Sequence, residues 1–596
     1  MTQAVATQPR WDLTDLFASY EDPAIQTTLD HCLDQTQNIV AQFKGKLATL
    51  SAAELKNAYL AVENCFAGLF KVSQYVNLIY TTDTTSDPIK ALVAKIDEFE
   101  TEMSNLLVFF ELELGEVPEA TAQAWLTDPA LAPYTYSLKR SRDTAKFNLS
   151  EKEEQLDTLK TLTGRNAWQK LYNELTSGFQ FEFEVDGESK KMNGSQLRAL
   201  RQHPDAQVRR RAMDLFFSRY EEHQLTLTHI FNNVVKDCTV EQKLRGYPSA
   251  ISVRNSGNDL DPAAVEALHE ITTESYKLVQ RYYRLKAKML NLPELTLADI
   301  YAPLPKAHTT YTWDQAREIV QDSFTAFDPE IGKMVELMFA QNRIDVPVTS
   351  TKRGGAYCSS ATPDLKPYVL VNFLGRQRDI STLAHELGHA VHDILCKKQP
   401  LTYYHPILPL AETASVFAEM MLTDRLLKQD LDPLSQQALL TDKLEDIFAT
   451  SHRQNMFSRF EMQTHDRINK GLMSATELCD LYQNELKLMF GDAVNITTPY
   501  RWEWSAIPHI YESPFYVYAY NFGNLLVMAL YQQFLEEGQS FIPKYKNFLA
   551  MGRSASPKDI TAMVGADIAN PDFWRKSLTY IETLIEKLEA VITPVS

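Results

Sequence analysis

Two histidines four residues apart, His385 and His389, enclose a glutamate, Glu386, in the segment Ile380-Ser381-Thr382-Leu383-Ala384-His385-Glu386-Leu387-Gly388-His389-Ala390-Val391-His392. On an α-helix, residues at i and i+4 share a face, so both imidazoles can reach one metal ion. Glu386, beside the first imidazole, is placed to act on water rather than on the metal. The chemistry this spacing supports is metal-assisted hydrolysis, with the Glu386 carboxylate taking the proton of a water that attacks a carbonyl carbon. Ile380, Leu383, Ala384, Leu387, Ala390 and Val391 make the segment largely apolar, as a helix buried beside a cleft requires. Buried imidazoles and carboxylates then need partners, and a metal supplies them.

A catalytic zinc takes three protein ligands and keeps one position open. The HExxHxxGxxH arrangement is excluded, because His392 stands at the glycine place and Leu395 at that of the third histidine. A downstream carboxylate is the alternative. Glu412 lies 23 residues after His389, in Leu410-Ala411-Glu412-Thr413-Ala414-Ser415, and Pro406 and Pro409 precede it. Glu419 follows seven residues later, two helical turns on and therefore on the same face if one helix carries both. One binds the ion and the other orients a ligating histidine from behind. Glu412 is the preferred ligand and Glu419 the alternative, while His392 and Asp393 read as satisfied helix residues.

The elements that must hold these residues are mostly helical. Leu55, Tyr59, Leu60, Val62, Phe66, Leu69 and Phe70 fall on one broad face. So do Leu92, Ile96, Phe99, Met103, Leu106 and Leu107, then Leu227, Ile230, Phe231, Val234 and Val235, and later Leu525, Leu526, Met528, Leu530 and Phe534. Thr312 followed by Gln315 has the form of a capping box that opens a helix. Strand signals are few. Phe179, Phe181, Phe183 and Val185 alternate with polar residues and run into Asp186-Gly187, a hairpin pattern with a type I′ turn. Tyr368 to Phe373, bounded by Pro367 and Gly375, reads as a second strand. Gly354-Gly355 precedes Ala356-Tyr357-Cys358, either as a turn or as backbone open to a substrate. No repeat or linker divides the chain, so the boundary is set near residue 200, where a long helical region begins, giving 1–200 and 201–596. The fold class expected is mostly α with a small β element.

Composition narrows the partners. The net charge is −18, from 77 acidic and 59 basic residues, which argues against nucleic acid because phosphate binding draws on clustered Lys and Arg. Six cysteines in 596 residues, none at CxxC spacing, are too sparse for a disulfide scaffold and read as reduced thiols. Neither Cys358 nor Cys396 carries the signature of a nucleophile. The first ten residues lack a secretory pattern, and no apolar run reaches membrane-spanning length. A soluble cytoplasmic protein with no membrane partner is expected.

The chain resembles the oligoendopeptidase F and thimet oligopeptidase family of zinc peptidases over most of its length. The likeness rests on Ala384 to His389, on Leu410 to Ser415 with Glu419, on His509-Ile510-Tyr511-Glu512-Ser513-Pro514-Phe515-Tyr516-Val517-Tyr518-Ala519-Tyr520, and on the early Trp11-Asp12-Leu13-Thr14-Asp15-Leu16-Phe17. It implies a large, helical, clam-like body with a deep substrate channel, an N-terminal domain over 1–200 and a zinc-bearing catalytic domain over 201–596. It also implies cleavage of internal bonds in short, unstructured oligopeptides. By matching positions, His385, His389 and Glu412 hold one Zn2+ per chain and Glu386 is the general base. The strand at Tyr368 to Phe373 resembles the family's substrate-pairing edge. His509 and the tyrosines Tyr516 and Tyr520 resemble the donors that stabilise the oxyanion, with Tyr518 turned away. A dipeptide-releasing peptidase and a catalytically silent peptide binder are the competing readings. The silent binder is disfavoured by Glu386, which only chemistry requires.

Overall fold

A computed structural model describes residues 8–304, 310–429 and 432–592. Helices dominate, with two small sheets beside them. The chain forms two compact units, each discontinuous in sequence. The first comprises Met1–Asn148, His308–Gln429 and Glu537–Gly565. The second comprises Leu149–Ala307, Asp430–Glu536 and Ala566–Ser596. The sequence boundary near residue 200 falls inside the first segment of the second unit.

In the first unit, the helices Pro23–Phe43, Ala52–Thr82 and Asp87–Glu116 pack together. The Asp22 carboxylate caps the first by accepting the Ala24 N–H, and Ser51 with Glu54 closes a capping box on the second. Leu55, Tyr59 and Leu69 are buried, as their stripe predicts. Leu60, assigned to the same face, is exposed: one residue on from Tyr59 is a rotation of about 100°, which carries it past the edge of the buried stripe.

A three-stranded sheet lies in the same unit, formed by β3 (Ile344–Asp345), β4 (Tyr357–Ser359) and β5 (Tyr368–Leu370), numbered after the hairpin strands described below. Its order is β3-β5-β4, with β5 parallel to β3 and antiparallel to β4. The strand read at Tyr368 to Phe373 is therefore shorter than expected and is the centre of the sheet, not an edge. Its continuous apolar run, buried at every position, is the mark of an interior strand. The outer side of β3 is met by the N-terminal segment, where the Val346 N–H donates to the Pro9 carbonyl. The remaining edge is β4, which follows the Gly354-Gly355 turn and packs against the His385 helix.

A buried cation ties this sheet to its loops. Lys352 Nζ donates to Asp345 Oδ1 at 2.6 Å and to the carbonyls of Val371 at 2.8 Å and Pro347 at 3.0 Å. Both side chains are excluded from solvent.

In the second unit, β1 (Gln180–Val185) and β2 (Glu188–Asn193) form the expected hairpin, with Val185 opposite Glu188. Asp186 and Gly187 have φ of 53° and 80°, the two left-handed residues of a type I′ turn. Phe181, Phe183 and Val185 point inward, and Phe181 stacks on Phe216 at 5.9 Å. The stripe Leu227, Ile230, Phe231, Val234 and Val235 is fully buried in the helix Gln224–Leu244. The capping box Thr312–Gln315 opens the helix Trp313–Phe327 of the first unit.

Removing the amine of Lys352 leaves the buried Asp345 carboxylate with only the solvent-exposed Arg10 guanidinium, 3.9 Å away, as an ion-pair partner. Lys352→Met is expected to destabilise the first unit by about 3–5 kcal/mol, seen as faster hydrogen exchange in β3 and β5 and a lower unfolding midpoint. Lys352→Met combined with Asp345→Leu should recover most of that loss, because it removes the charge along with its partner.

Candidate metal centre

The helix Gln377–Cys396 carries His385, Glu386 and His389. It begins where the Asp379 carboxylate accepts the N–H groups of Leu374 at 2.8 Å and Arg376 at 3.0 Å. Ile380, Leu383, Ala384, Leu387, Ala390 and Val391 are all buried, which turns the two imidazoles to one side. Their ring centroids are 5.0 Å apart.

Glu412 does not lie on the helix that carries Glu419. The chain makes a short helix at Leu408–Ala411, breaks at Glu412 to Ala414, and starts a new helix at Ser415–Leu427. The expectation of one shared helix face thus fails, yet both carboxylates arrive at His385. Glu412 Oε2 lies 3.3 Å from His385 Nε2 and 3.4 Å from His389 Nε2. Glu419 Oε1 lies 2.6 Å from His385 Nδ1, on the opposite edge of the ring. Among the described residues, His385, His389 and Glu412 form a group whose donor atoms all fall within 4.8 Å of one another. Donors about 2.0–2.1 Å from a tetrahedral zinc ion stand roughly 3.3–3.4 Å apart, so the donor set and these two separations fit such an ion.

The break that presents Glu412 is held from several sides. Ser415 Oγ donates to Glu412 Oε2 at 2.6 Å, and Tyr545 Oη donates to the Thr413 carbonyl at 2.8 Å. His392, one turn beyond the pair His385 and His389, is buried, and its imidazole meets the backbone at Leu549 and Ala411. Burial pushes it down to about 3, so it braces the turn as a neutral ring. Gly388 permits the closest approach: a Cβ there would stand 2.6 Å from both the Ala414 carbonyl oxygen and Ser415 Cα. Spacing alone did not disclose Ser415, Tyr545 or Gly388 as parts of the site. The available signal was the glycine itself, which costs about 1 kcal/mol inside a helix and so implies a packing reason.

The electrostatics follow from burial among these groups. Burial pulls the His385 imidazole down, but the carboxylates of Glu412 and Glu419 outweigh it and hold the ring at about 10. Burial raises the Glu412 carboxyl, and the two histidines override that and take it far below the usual range. Glu386 is raised, chiefly by burial, with His385 and His389 opposing and the Cys358 N–H of β4 pulling it down as a donor. A cavity of about 550 Å3 opens at the triad and is also lined by Cys358, Ser359, Ser360, Asp393 and His405. The Cys358 thiol is raised well above its ordinary value, first by burial and then by Asp393.

The remaining predicted residues gather in the second unit. His509 lies on the helix Pro508–Glu512 and is exposed. Tyr516 sits in the connection before the helix Tyr518–Glu537, and Tyr520 in its first turn. The two tyrosines share no helix face, but their rings meet edge to face at 5.2 Å. His509 stacks on Tyr516 at 6.0 Å and 8° and meets Tyr520 at 5.9 Å. Tyr518 points inward, its hydroxyl accepting from Asn258 Nδ2 at 2.9 Å.

Comparison with known proteins gives a consistent picture. A family model described as Peptidase family M3 matches residues 199–580, and one described as Oligopeptidase F matches 113–181. The oligopeptidase PepF of Bacillus subtilis is 27% identical over 99% of this chain and 88% of its own length. An oligoendopeptidase F homolog of Borreliella burgdorferi is 28% identical over 98% of each. Among solved structures, a putative peptidase from Chlamydophila abortus superposes with a TM-score of 0.87 at 24% identity, over 98% of each chain. Oligoendopeptidase-F from Enterococcus faecium gives 0.71 at 23% identity, over 94% of this chain and 97% of its own.

Two substitutions separate holding the ligands from being one. Glu419→Gln should weaken divalent-metal affinity by about 10- to 100-fold in a chelator competition, because the His385 ring loses the charge that orients it. Gly388→Ala should force the Ala414–Ser415 backbone away and lower metal occupancy with helix content unchanged by circular dichroism. Wild-type affinity in Gly388→Ala would show that the turn yields without moving Glu412.

Proposed function

The chain belongs to peptidase family M3, and we propose that it is a zinc-dependent oligoendopeptidase that hydrolyses internal bonds of short, unstructured peptides. Peptide-bond hydrolysis by a metalloendopeptidase follows from the family. The finer reading rests on one observation, the approach of Glu412 to both histidine Nε2 atoms with Glu386 beside them.

His385, His389 and Glu412 would hold the ion. When bound, a divalent zinc ion supplies Lewis-acid polarisation of water and of the scissile carbonyl. Glu419 keeps the His385 Nδ1 proton and fixes the ring's orientation. Ser415 holds one Glu412 oxygen and limits its rotation. Glu386 takes the proton of the attacking water and returns it to the leaving amine. Burial of its carboxyl supports this, since a carboxylate with a raised proton affinity is the better base. An extended peptide would pair its main chain with the edge strand β4, which lines the cavity next to Glu386. We assign His509, Tyr516 and Tyr520 as donors to the developing oxyanion, on the strength of their chemistry and their mutual packing. Among the described residues no helix is long and apolar enough to cross a membrane. We place the protein in the cytoplasm, where six sparsely spaced cysteines would stay reduced.

Incubation with a mixture of unstructured peptides and analysis by mass spectrometry should show internal cleavage that a chelator stops and zinc restores. Release of C-terminal dipeptides alone would replace the endopeptidase reading. Glu386→Gln should keep one zinc per chain and lose about 100- to 10,000-fold in kcat. Glu412→Ala should lose the zinc itself, and full occupancy in that variant would move the ligand role to Glu419.

A further inference from the structure

The segment Ser513 to Val517 connects two helices and carries Tyr516, yet no strand or helix holds it. Phe515, in its middle, has φ of 57°, the left-handed region that a bulky aromatic residue rarely occupies. Such a conformation persists only where surrounding contacts impose it.

Three side chains surround it here. Glu461, on the helix Arg453–Lys470, is buried and accepts the Phe515 N–H on Oε1 at 2.8 Å. Arg254, on the helix Ala250–Gly257, donates from Nη2 to Ser513 Oγ at 2.8 Å and from Nε to the Pro514 carbonyl at 3.2 Å. The Arg254 guanidinium also lies over the Tyr516 ring at 5.9 Å. His465, one turn on from Glu461, packs its ring on that of Phe515 at 4.4 Å. These contacts fix the backbone on both sides of Phe515, one residue before the tyrosine that stacks on His509.

We propose that Glu461 and Arg254 are positioning residues that hold Phe515 left-handed and so aim Tyr516 at its place against His509 and Tyr520. The inference rests on the endopeptidase reading for its catalytic consequence, but not for the anchoring itself. Burial raises the Glu461 carboxyl to about 8, against the pull of the Phe515 N–H and of the Arg254 charge. Glutamine keeps the shape of the side chain and an acceptor oxygen. Alanine provides neither, and leaves the Phe515 N–H without its acceptor.

The test compares Glu461→Ala, Glu461→Gln and Arg254→Met in the full chain. Amide exchange over residues 513–517 should quicken at least tenfold in Glu461→Ala and Arg254→Met and stay near wild type in Glu461→Gln. With an internally quenched peptide, the first two should lose about 100-fold in kcat, with KM changed less than threefold and zinc content unchanged. Glu461→Gln should keep kcat within threefold. Unchanged exchange in both Glu461→Ala and Arg254→Met would overturn the anchoring, and so would Glu461→Gln behaving like alanine. Faster exchange with wild-type kcat would overturn its catalytic role. Should Glu461→Ala fail to fold, Arg254→Met, at a partly exposed position, decides alone. A zinc-loaded wild-type chain that cleaves no peptide would sink the endopeptidase reading, while the exchange result would still judge the anchor.

Discussion

The metal centre depends on how closely two pieces of backbone approach each other. The helix bearing His385 and His389 and the turn bearing Glu412 meet at Gly388, where the missing Cβ lets the Ala414 carbonyl and Ser415 Cα come within van der Waals reach. A carboxylate side chain is short. Glu412 spans from its own turn to both Nε2 atoms only because the turn lies against the helix. The helix penalty of one glycine is small beside the cost of leaving two imidazoles and a carboxylate half-buried without partners.

Around that contact, His385, Glu412 and Glu386 each have a second partner that fixes their direction. Glu419 holds His385, Ser415 holds Glu412, and the Cys358 N–H faces Glu386. His392 and Tyr545 brace the backbone from behind. Half-satisfied buried networks are costly, and the observed pattern is a network whose members restrain one another. The Ser513–Val517 segment follows the same logic in the second unit, where buried side chains do what hydrogen-bonded secondary structure does elsewhere.

The small sheet shows how burial sorts strands into roles. Tyr368-Val369-Leu370 is apolar throughout and sits in the middle, with a neighbour on each side. Tyr357-Cys358-Ser359 is mixed in character, half-buried, and left at the edge against the cavity. A run able to lose water on both faces goes inside, while the strand that keeps polar side chains stays at the edge.

The amino-acid sequence by itself determined what depends on short spacing. The i, i+4 geometry of a helix puts His385 and His389 on one face whatever surrounds them. The alternation from Phe179 to Val185 with Asp186-Gly187 specifies a hairpin, and Thr312 with Gln315 specifies a helix start. Tertiary structure decided what depends on distant segments meeting. It broke the helix between Glu412 and Glu419 and sent one carboxylate to Nε2 and the other to Nδ1. It placed β5 in the interior and β4 at the edge, and it set Glu461 under Phe515, 54 residues away in the chain. The physical reason is range: backbone sterics and local hydrogen bonds act over a few residues and leave a period in the sequence. Packing between remote segments leaves no such period, only isolated residues such as Gly388, whose purpose appears once the neighbour is in place.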